Sequence, residues 1–162
     1  FTRDGIGTMI SVDSLDNLRP ATIEDVGALL SIIEPLERQG ILVARPRALI
    51  EREIERFFLA EHDGQVIGCA ALYPFPEANK AELACLAVNP DYRREGYGER
   101  LMKAVERAAK EHGINTLFVL TTRTAAWFTG RGFRQATITD LPEKKQALYN
   151  FERASQVYVK QI

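Results

Sequence analysis

Ala81-Glu82-Leu83-Ala84-Cys85-Leu86-Ala87-Val88-Asn89-Pro90-Asp91-Tyr92-Arg93-Arg94-Glu95-Gly96-Tyr97-Gly98-Glu99-Arg100-Leu101-Met102 reads as a strand, a turn and the start of a helix. The run from Ala81 to Val88 is apolar on both alternating faces except at Glu82, the pattern of a central strand covered on both sides. Asn89-Pro90-Asp91 ends it. From about Gly98 to His112, Leu101, Met102, Val105, Ala108 and Ala109 recur at helical spacing, and Gly113 terminates the pattern. Between strand and helix lies Arg93-Arg94-Glu95-Gly96-Tyr97-Gly98. A helix start offers unsatisfied N–H groups and a partial positive charge, so it suits a phosphate. Gly96 and Gly98 remove side chains and let backbone approach closely, while Arg93, Arg94 and Arg100 add cations. Taken alone, the pattern fits a tight strand-to-helix connection equally well. A dinucleotide fold needs its glycines directly after the strand, and here they stand eight residues past Val88. A Walker loop would need Gly-Lys followed by Ser or Thr, which this turn lacks.

Upstream, Leu18 to Thr22 ends a short strand and opens a helix, with Thr22 as N-cap and Asp25 in the first turn. Val26, Leu29, Leu30 and Ile33 form its apolar stripe, and Pro35 sits awkwardly near its end. A second helix is predicted over Pro46 to Phe57. Phe58–Glu61 and Val66–Leu72 flank Asp63-Gly64, a strong hairpin signal, and Pro74 and Pro76 are expected to break the second strand. Downstream, the expected elements are a buried strand at Leu117–Leu120, a short helix over Thr124–Thr129 and a strand over Phe133–Ile138. A polar helix over Leu141–Asn150 and a closing strand at Ser155–Val159 complete the chain.

At 162 residues, 46% hydrophobic and 27% charged, the chain suits one globular domain. A net charge of −1 provides no global attraction to nucleic acid or an anionic membrane, so local clusters must bind any anion. No apolar run approaches the roughly 18 residues of a membrane span, and no secretory signal is seen. Cys69 and Cys85 lie in apolar strands and read as reduced, buried thiols of a cytoplasmic protein. No Cys/His spacing suggests a metal, and His62 and His112 stand in polar settings that suggest solvated side chains.

The order strand, two helices, three-strand meander, Arg-x-x-Gly-x-Gly turn, long helix, strand, helix and Gly132-Phe133 strand resembles the GNAT acetyltransferase superfamily from about Leu18 to Ile162. The resemblance implies an α/β (α+β) fold with a mixed, mostly antiparallel sheet of about seven strands flanked by helices. That sheet would splay where Cys85–Val88 parts from Leu117–Leu120, making a cleft for acetyl-CoA. It implies that backbone near Leu86 and Val88 holds the pantetheine, and that N–H groups across Arg93, Arg94, Glu95, Gly96, Tyr97 and Gly98 hold the pyrophosphate. Many superfamily members carry a tyrosine four residues before the Gly-Phe glycine as the acid for the leaving thiolate. Phe128 occupies that place here, so water or no acid would serve, with Tyr149 only a remote alternative.

A closer resemblance is carried by Leu36–Gly40, Glu61–Gly64, Gly68–Leu72, Glu82–Val88, Gly96–Leu101, Thr121–Thr124, Trp127-Phe128, Leu141–Glu143 and Arg153–Ser155. These are similar to the C-terminal domain of the bacterial N-acetylglutamate synthase family, amino-acid N-acetyltransferases of arginine biosynthesis. It implies transfer of acetyl to the α-amino group of L-glutamate. The substrate ligands would be Arg45, Arg153 and Ser155, with backbone near Val43 and Cys85, and Arg123 a weaker candidate. Glutamate brings two carboxylates, and arginine meets a carboxylate with a planar fork of donors. Glu82 is the expected general base, acting through water, since a carboxylate on an apolar strand needs a reason and burial tunes carboxylates toward base chemistry. Thr121 would hold the relay water, and a strand-end hydroxyl bonding backbone is an equal reading. No acetyl-cysteine intermediate and no metal are expected.

Thr2–Ile10, with two glycines, resembles the final segment of the amino-acid-kinase-like domain that precedes this one in that family, so residues 1–15 would be a remnant of that domain or a linker. Residues 16–162 would form the GNAT domain, and a homo-oligomer is left open. Two alternatives stand beside this reading. One is a GNAT enzyme for another small amine or a protein N-terminus; the other is a non-catalytic acyl-CoA-binding regulatory module.

Overall fold

The computed structural model describes residues 18–146 and 155–162. These form a seven-stranded sheet in the order β1-β2-β3-β4-β5-β7-β6. The strands are β1 (Leu18–Pro20), β2 (Phe57–His62), β3 (Gln65–Phe75), β4 (Lys80–Val88), β5 (Thr116–Thr121), β6 (Arg134–Ala136) and β7 (Gln156–Gln161). Every pairing is antiparallel except that of β4 with β5. The helices are α1 (Val26–Arg38), α2 (Arg47–Arg52), α3 (Tyr97–Glu111), α4 (Ala125–Thr129) and α5 (Glu143–Gln146).

The two faces of the sheet bury different cores. On one, Leu101, Met102 and Val105 of α3 pack on Ile67, Leu83, Leu117 and Val119. On the other, Val26, Leu29, Leu30 and Ile33 of α1 and Ile50 of α2 pack on Phe57, Leu59, Ala71 and Ala84. Alternating β4 residues thus serve both cores, which is why its sequence is apolar at nearly every position.

Several boundaries differ from the sequence reading. The helix expected over Pro46–Phe57 is only α2, followed by a 3₁₀ turn at Ile54–Arg56, because Phe57 pairs with Ala71 and starts β2. Pro74 does not break β3. The strand runs on to Phe75 with Pro74 opposite Ala81, and Pro76 opens a 3₁₀ turn. The strand expected over Phe133–Ile138 shortens to β6, since Ile138–Asp140 turn as 3₁₀. Pro35 lies inside α1 near its end, where few backbone bonds remain to be lost. The helix expected over Leu141–Asn150 is described only for α5; its remainder, with Tyr149, and the segment 1–15 lie outside the described residues.

Both long helices stop the same way. Gly40 and Gly113 take left-handed φ values of 76°. Ile41 N–H then reaches Leu36 O at 2.9 Å, and Ile114 N–H reaches Ala109 O at 3.0 Å, closing Schellman caps. The hairpin turn uses positive φ at Asp63 (52°) and Gly64 (79°), as a two-residue connection requires.

At the start of α1 the Asp25 carboxylate accepts bonds from Thr22 N–H (2.8 Å) and both terminal nitrogens of Arg19 (2.9 Å each). Arg19 also reaches Glu61 at 3.0 Å, tying β1, β2 and α1 together. The Arg19 guanidinium holds the Asp25 carboxyl far below the usual range. A depressed carboxylate stabilises the fold above its unfolded pKa of about 4 and loses that contribution as pH falls below it. Asp25→Asn is expected to cost about 1–2 kcal/mol at pH 7. Urea melts at pH 7 and pH 3 check this: the gap from wild type should shrink at the lower pH, and a gap independent of pH would refute the ionic origin.

Candidate active site

β4 and β5 pair only over Lys80–Glu82 and Thr116–Phe118. Past that point β4 bulges: Cys69 opposes Ala87 and Ala71 opposes Ala84, so three steps on β4 match two on β3. Cys85 sits in the bulge at φ 54°, a conformation that costs a non-glycine residue about 1–2 kcal/mol. The buried Cys69 thiol donates to the Cys85 carbonyl at 3.2 Å, which satisfies one group of the distorted backbone. The bulge turns β4 away from β5 and opens a cleft of about 860 Å³.

One end of the cleft is the glycine turn. Arg93, Arg94, Gly96 and Gly98 line it. Gly96 is the N-cap of α3 with φ 82°, and the first helical bond is Arg100 N–H to Gly96 O at 3.1 Å. The N–H groups before Arg100 are therefore helix-terminal donors. Arg100, read from sequence as one more cation for the anion, has a different place. It stacks at 4.3 Å on the Tyr97 ring and donates to Glu95 O at 3.1 Å, holding the turn together. Tyr97 and Glu95 are not among the residues lining the cleft. Tyr97 is buried with its hydroxyl 3.0 Å from His62 Nδ1, so His62, whose side chain remains partly exposed, also braces the turn.

The other end gathers Val43, Arg45, Glu82, Cys85, Thr121 and Ser155, while Leu86 and Val88 line the stretch between. Val43 and Arg45 arrive on the loop after α1, which Glu37 anchors by accepting Arg45 N–H at 3.0 Å. Half-buried Arg45 lies 5.7 Å from the Tyr73 ring, and the Tyr73 hydroxyl donates to Glu53 at 2.8 Å. Burial works against the Arg45 charge, but the acidic groups around it, Glu82 among them, outweigh that and raise the guanidinium above its usual value. Arg123 is exposed and does not line the cleft. Arg153 lies outside the described residues.

Glu82 is 7% exposed, on β4 between Tyr73 and Phe118. It has a partner that sequence reasoning missed: Lys145 Nζ of α5 lies 2.9 Å from Oε1. The polar run around Lys145 gave no spacing signal. The usable clue was physical, since a buried carboxylate demands a cation. Thr121 is buried and accepts Thr124 N–H at 3.0 Å, with the two hydroxyls 2.7 Å apart. Both the relay reading and the backbone-bonding reading of Thr121 are thus compatible with its contacts. Trp127, Phe128, Arg131 and Leu36 also line the cleft without having been singled out for it.

The acetyltransferase (GNAT) family profile matches residues 26–133. The chain belongs to the GNAT family. It is 53% identical over all 162 residues to an amino-acid acetyltransferase of Azotobacter vinelandii and 52% identical to one of Pseudomonas aeruginosa. It spans only 38% of the length of each. Among solved structures it superposes on N-acetylglutamate synthase of Neisseria gonorrhoeae, complexed with coenzyme A and N-acetyl-glutamate, with a TM-score of 0.87 at 41% identity. That match covers 96% of this chain and 36% of the other. An N-acetyltransferase of Thermoplasma acidophilum, at 19% identity and TM-score 0.70, shares the fold. The GNAT architecture read from the strand and helix order is therefore the architecture observed.

Burial pushes the Cys85 thiol up to about 11, against the pull of Arg45. A protonated thiol is a poor nucleophile. In the folded protein at pH 7, Cys85 should react with iodoacetamide at least about 100-fold more slowly than a free thiol. Mass-spectrometric alkylation kinetics check this, and a rate near that of free cysteine would reopen a covalent role.

Proposed function

We propose that this domain transfers the acetyl group of acetyl-CoA directly to the α-amino group of L-glutamate. The observation that carries the reading is the composition of the two cleft ends. A glycine turn at a helix start faces one end, and Arg45 with buried Glu82 faces the other. The likeness to relatives named amino-acid acetyltransferase and N-acetylglutamate synthase selects the amine.

In this reading the helix-terminal N–H groups and Arg93 and Arg94 hold the pyrophosphate. The unpaired edge of β4 from Leu86 to Val88 bonds the pantetheine and polarises the thioester carbonyl. Arg45, Ser155 and Arg153 meet the glutamate carboxylates, with backbone at Val43 and Cys85. Glu82 takes one proton from the substrate ammonium through a water at Thr121, the amine attacks the carbonyl carbon, and the tetrahedral adduct expels the thiolate as its nitrogen gives its second proton to water. Lys145 keeps Glu82 from being an uncompensated buried charge while it waits for substrate. Phe128 offers no proton, so the thiolate leaves as the anion or is protonated by water. The expected kinase-like domain before residue 16 and a cytoplasmic location belong to the same proposal. Among the described residues no helix is long and apolar enough to cross a membrane.

Thiol release from acetyl-CoA should require L-glutamate among a panel of amino acids and amines. Release with another amine but not glutamate would move the domain to a different acceptor, and tight acetyl-CoA binding without turnover would make it a binding module. Arg45→Ala should remove a charge-assisted contact of about 1.5–3 kcal/mol and raise the glutamate KM about tenfold or more, with acetyl-CoA KM unchanged.

Glu82→Gln keeps size and most hydrogen bonds but cannot accept a proton. It should lower kcat by about 10²–10⁴-fold and change either KM less. The variant should lose the limb of the pH profile of kcat/KM that belongs to Glu82. Full kcat with the wild-type profile would remove Glu82 from the mechanism.

A further inference from the structure

Arg131 lines the same cleft as Arg93 and Arg94, and no sequence pattern pointed to it. Its guanidinium carbon lies 3.9 Å from the centre of the Trp127 ring. One terminal nitrogen donates to Trp127 O at 3.0 Å, which fixes the group flat on the indole. Its Nε is removed from solvent and has no hydrogen-bond partner among the described residues. Glu99 Oε1 approaches Nε to only 3.4 Å, and the other oxygen of that carboxylate, Oε2, lies 3.3 Å from Lys103 Nζ. Trp127 in turn covers the phosphate turn: a Cβ on Gly98 would lie 3.3 Å from its Cζ2.

Arg131, Trp127 and Gly98 therefore form one continuous wall from α4 to the start of α3. A guanidinium held by stacking and by one backbone bond has already lost its rotamer freedom, and it still presents donors in a planar fork. An anionic oxygen arriving in the cleft would meet charge-assisted donors on the terminal nitrogens of this immobilised fork. The nucleotide of CoA carries three phosphates, and the glycine turn accounts for the pyrophosphate pair alone. We propose that Arg131 is a phosphate ligand for the CoA nucleotide, pre-set by Trp127 to meet it beside the glycine turn. This rests on acetyl-CoA being the acetyl donor.

Calorimetry on the full chain tests it, with CoA and 3′-dephospho-CoA titrated into wild type, Arg131→Gln and Arg131→Lys at two salt concentrations. Circular dichroism and the melting temperature monitor the fold. Arg131→Gln should raise the Kd for CoA about tenfold or more and flatten its salt dependence, because a phosphate contact has been lost. Arg131→Lys, which keeps the charge without the fork, should fall between the two and serves where the glutamine variant is poorly folded. A loss confined to CoA assigns the 3′-phosphate, and an equal loss with both ligands assigns the pyrophosphate. Wild-type affinity for both ligands in folded Arg131→Gln would overturn the proposal. So would a weakened Kd with unchanged salt dependence, which would mean that Arg131 acts only by packing on Trp127. If wild type itself bound neither ligand, the acetyl-CoA reading would fail and not merely this residue's part in it.

Discussion

The cleft depends on one distortion, the bulge of β4 at Cys85. A regular strand would pair with β5 along its full length and leave no space between them. The bulge makes β4 advance three residues against two of β3, and the ladder to β5 ends after three pairs. The left-handed φ of Cys85 is therefore a local cost that the surrounding packing must offset. Buried Cys69 contributes by donating to the Cys85 carbonyl, and both cores press on the strand from either face. Once β4 leaves β5, the backbone from Leu86 to Val88 faces open space rather than another strand. Unpaired backbone beside a half-apolar cleft is suited to an extended, amide-bearing ligand, which can add to the edge as a short strand would.

Both ends of the cleft are placed by helix termini, and these use opposite chemistry. The Schellman cap at Gly40 stops α1 and releases the loop that carries Val43 and Arg45. The N-cap at Gly96 starts α3 and leaves donors pointing into the cleft. Arg100 and Tyr97, which look from sequence like ligands, are the turn's own scaffolding: the guanidinium stacks on the ring and satisfies the Glu95 carbonyl. Preorganisation of this kind matters because a phosphate-binding loop that had to order itself on each encounter would lose affinity to entropy.

Most of the fold could be read from the sequence because its signals were local. Asp63-Gly64 specified its hairpin, Gly113 its helix end, and the apolar run at β4 its central position. The errors came where tertiary pairing overruled a local rule. Pro74 needs only a position in the ladder that does not use its nitrogen, and Ile54 to Phe57 yield helical character to the pairing of β2 with β3. In the candidate site, the residues on β4 and the glycine turn could be found because they lie on elements with a strong pattern. Lys145 and Arg131 could not, since each reaches the cleft through a long side chain, from the short polar α5 and from the turn after α4. Sequence spacing records where a backbone goes, and it carries little about the last four bonds of a lysine or arginine.

The Glu82–Lys145 pair sharpens what the site has to accomplish. A carboxylate 7% exposed cannot wait uncompensated for substrate, so its cation is part of the resting state. In the proposed reaction the pair must part before Glu82 can take a proton, because Lys145 occupies its Oε1. An acceptor bearing carboxylates supplies that loosening by its own charge, because it offers Lys145 a second partner inside the same cleft. A neutral amine would leave the ion pair intact and face a guarded base. Under the proposed function, charge compensation, and not only the reach of Arg45, would be a source of selectivity for an acidic amino acid, acting on the proton-transfer step as well as on binding.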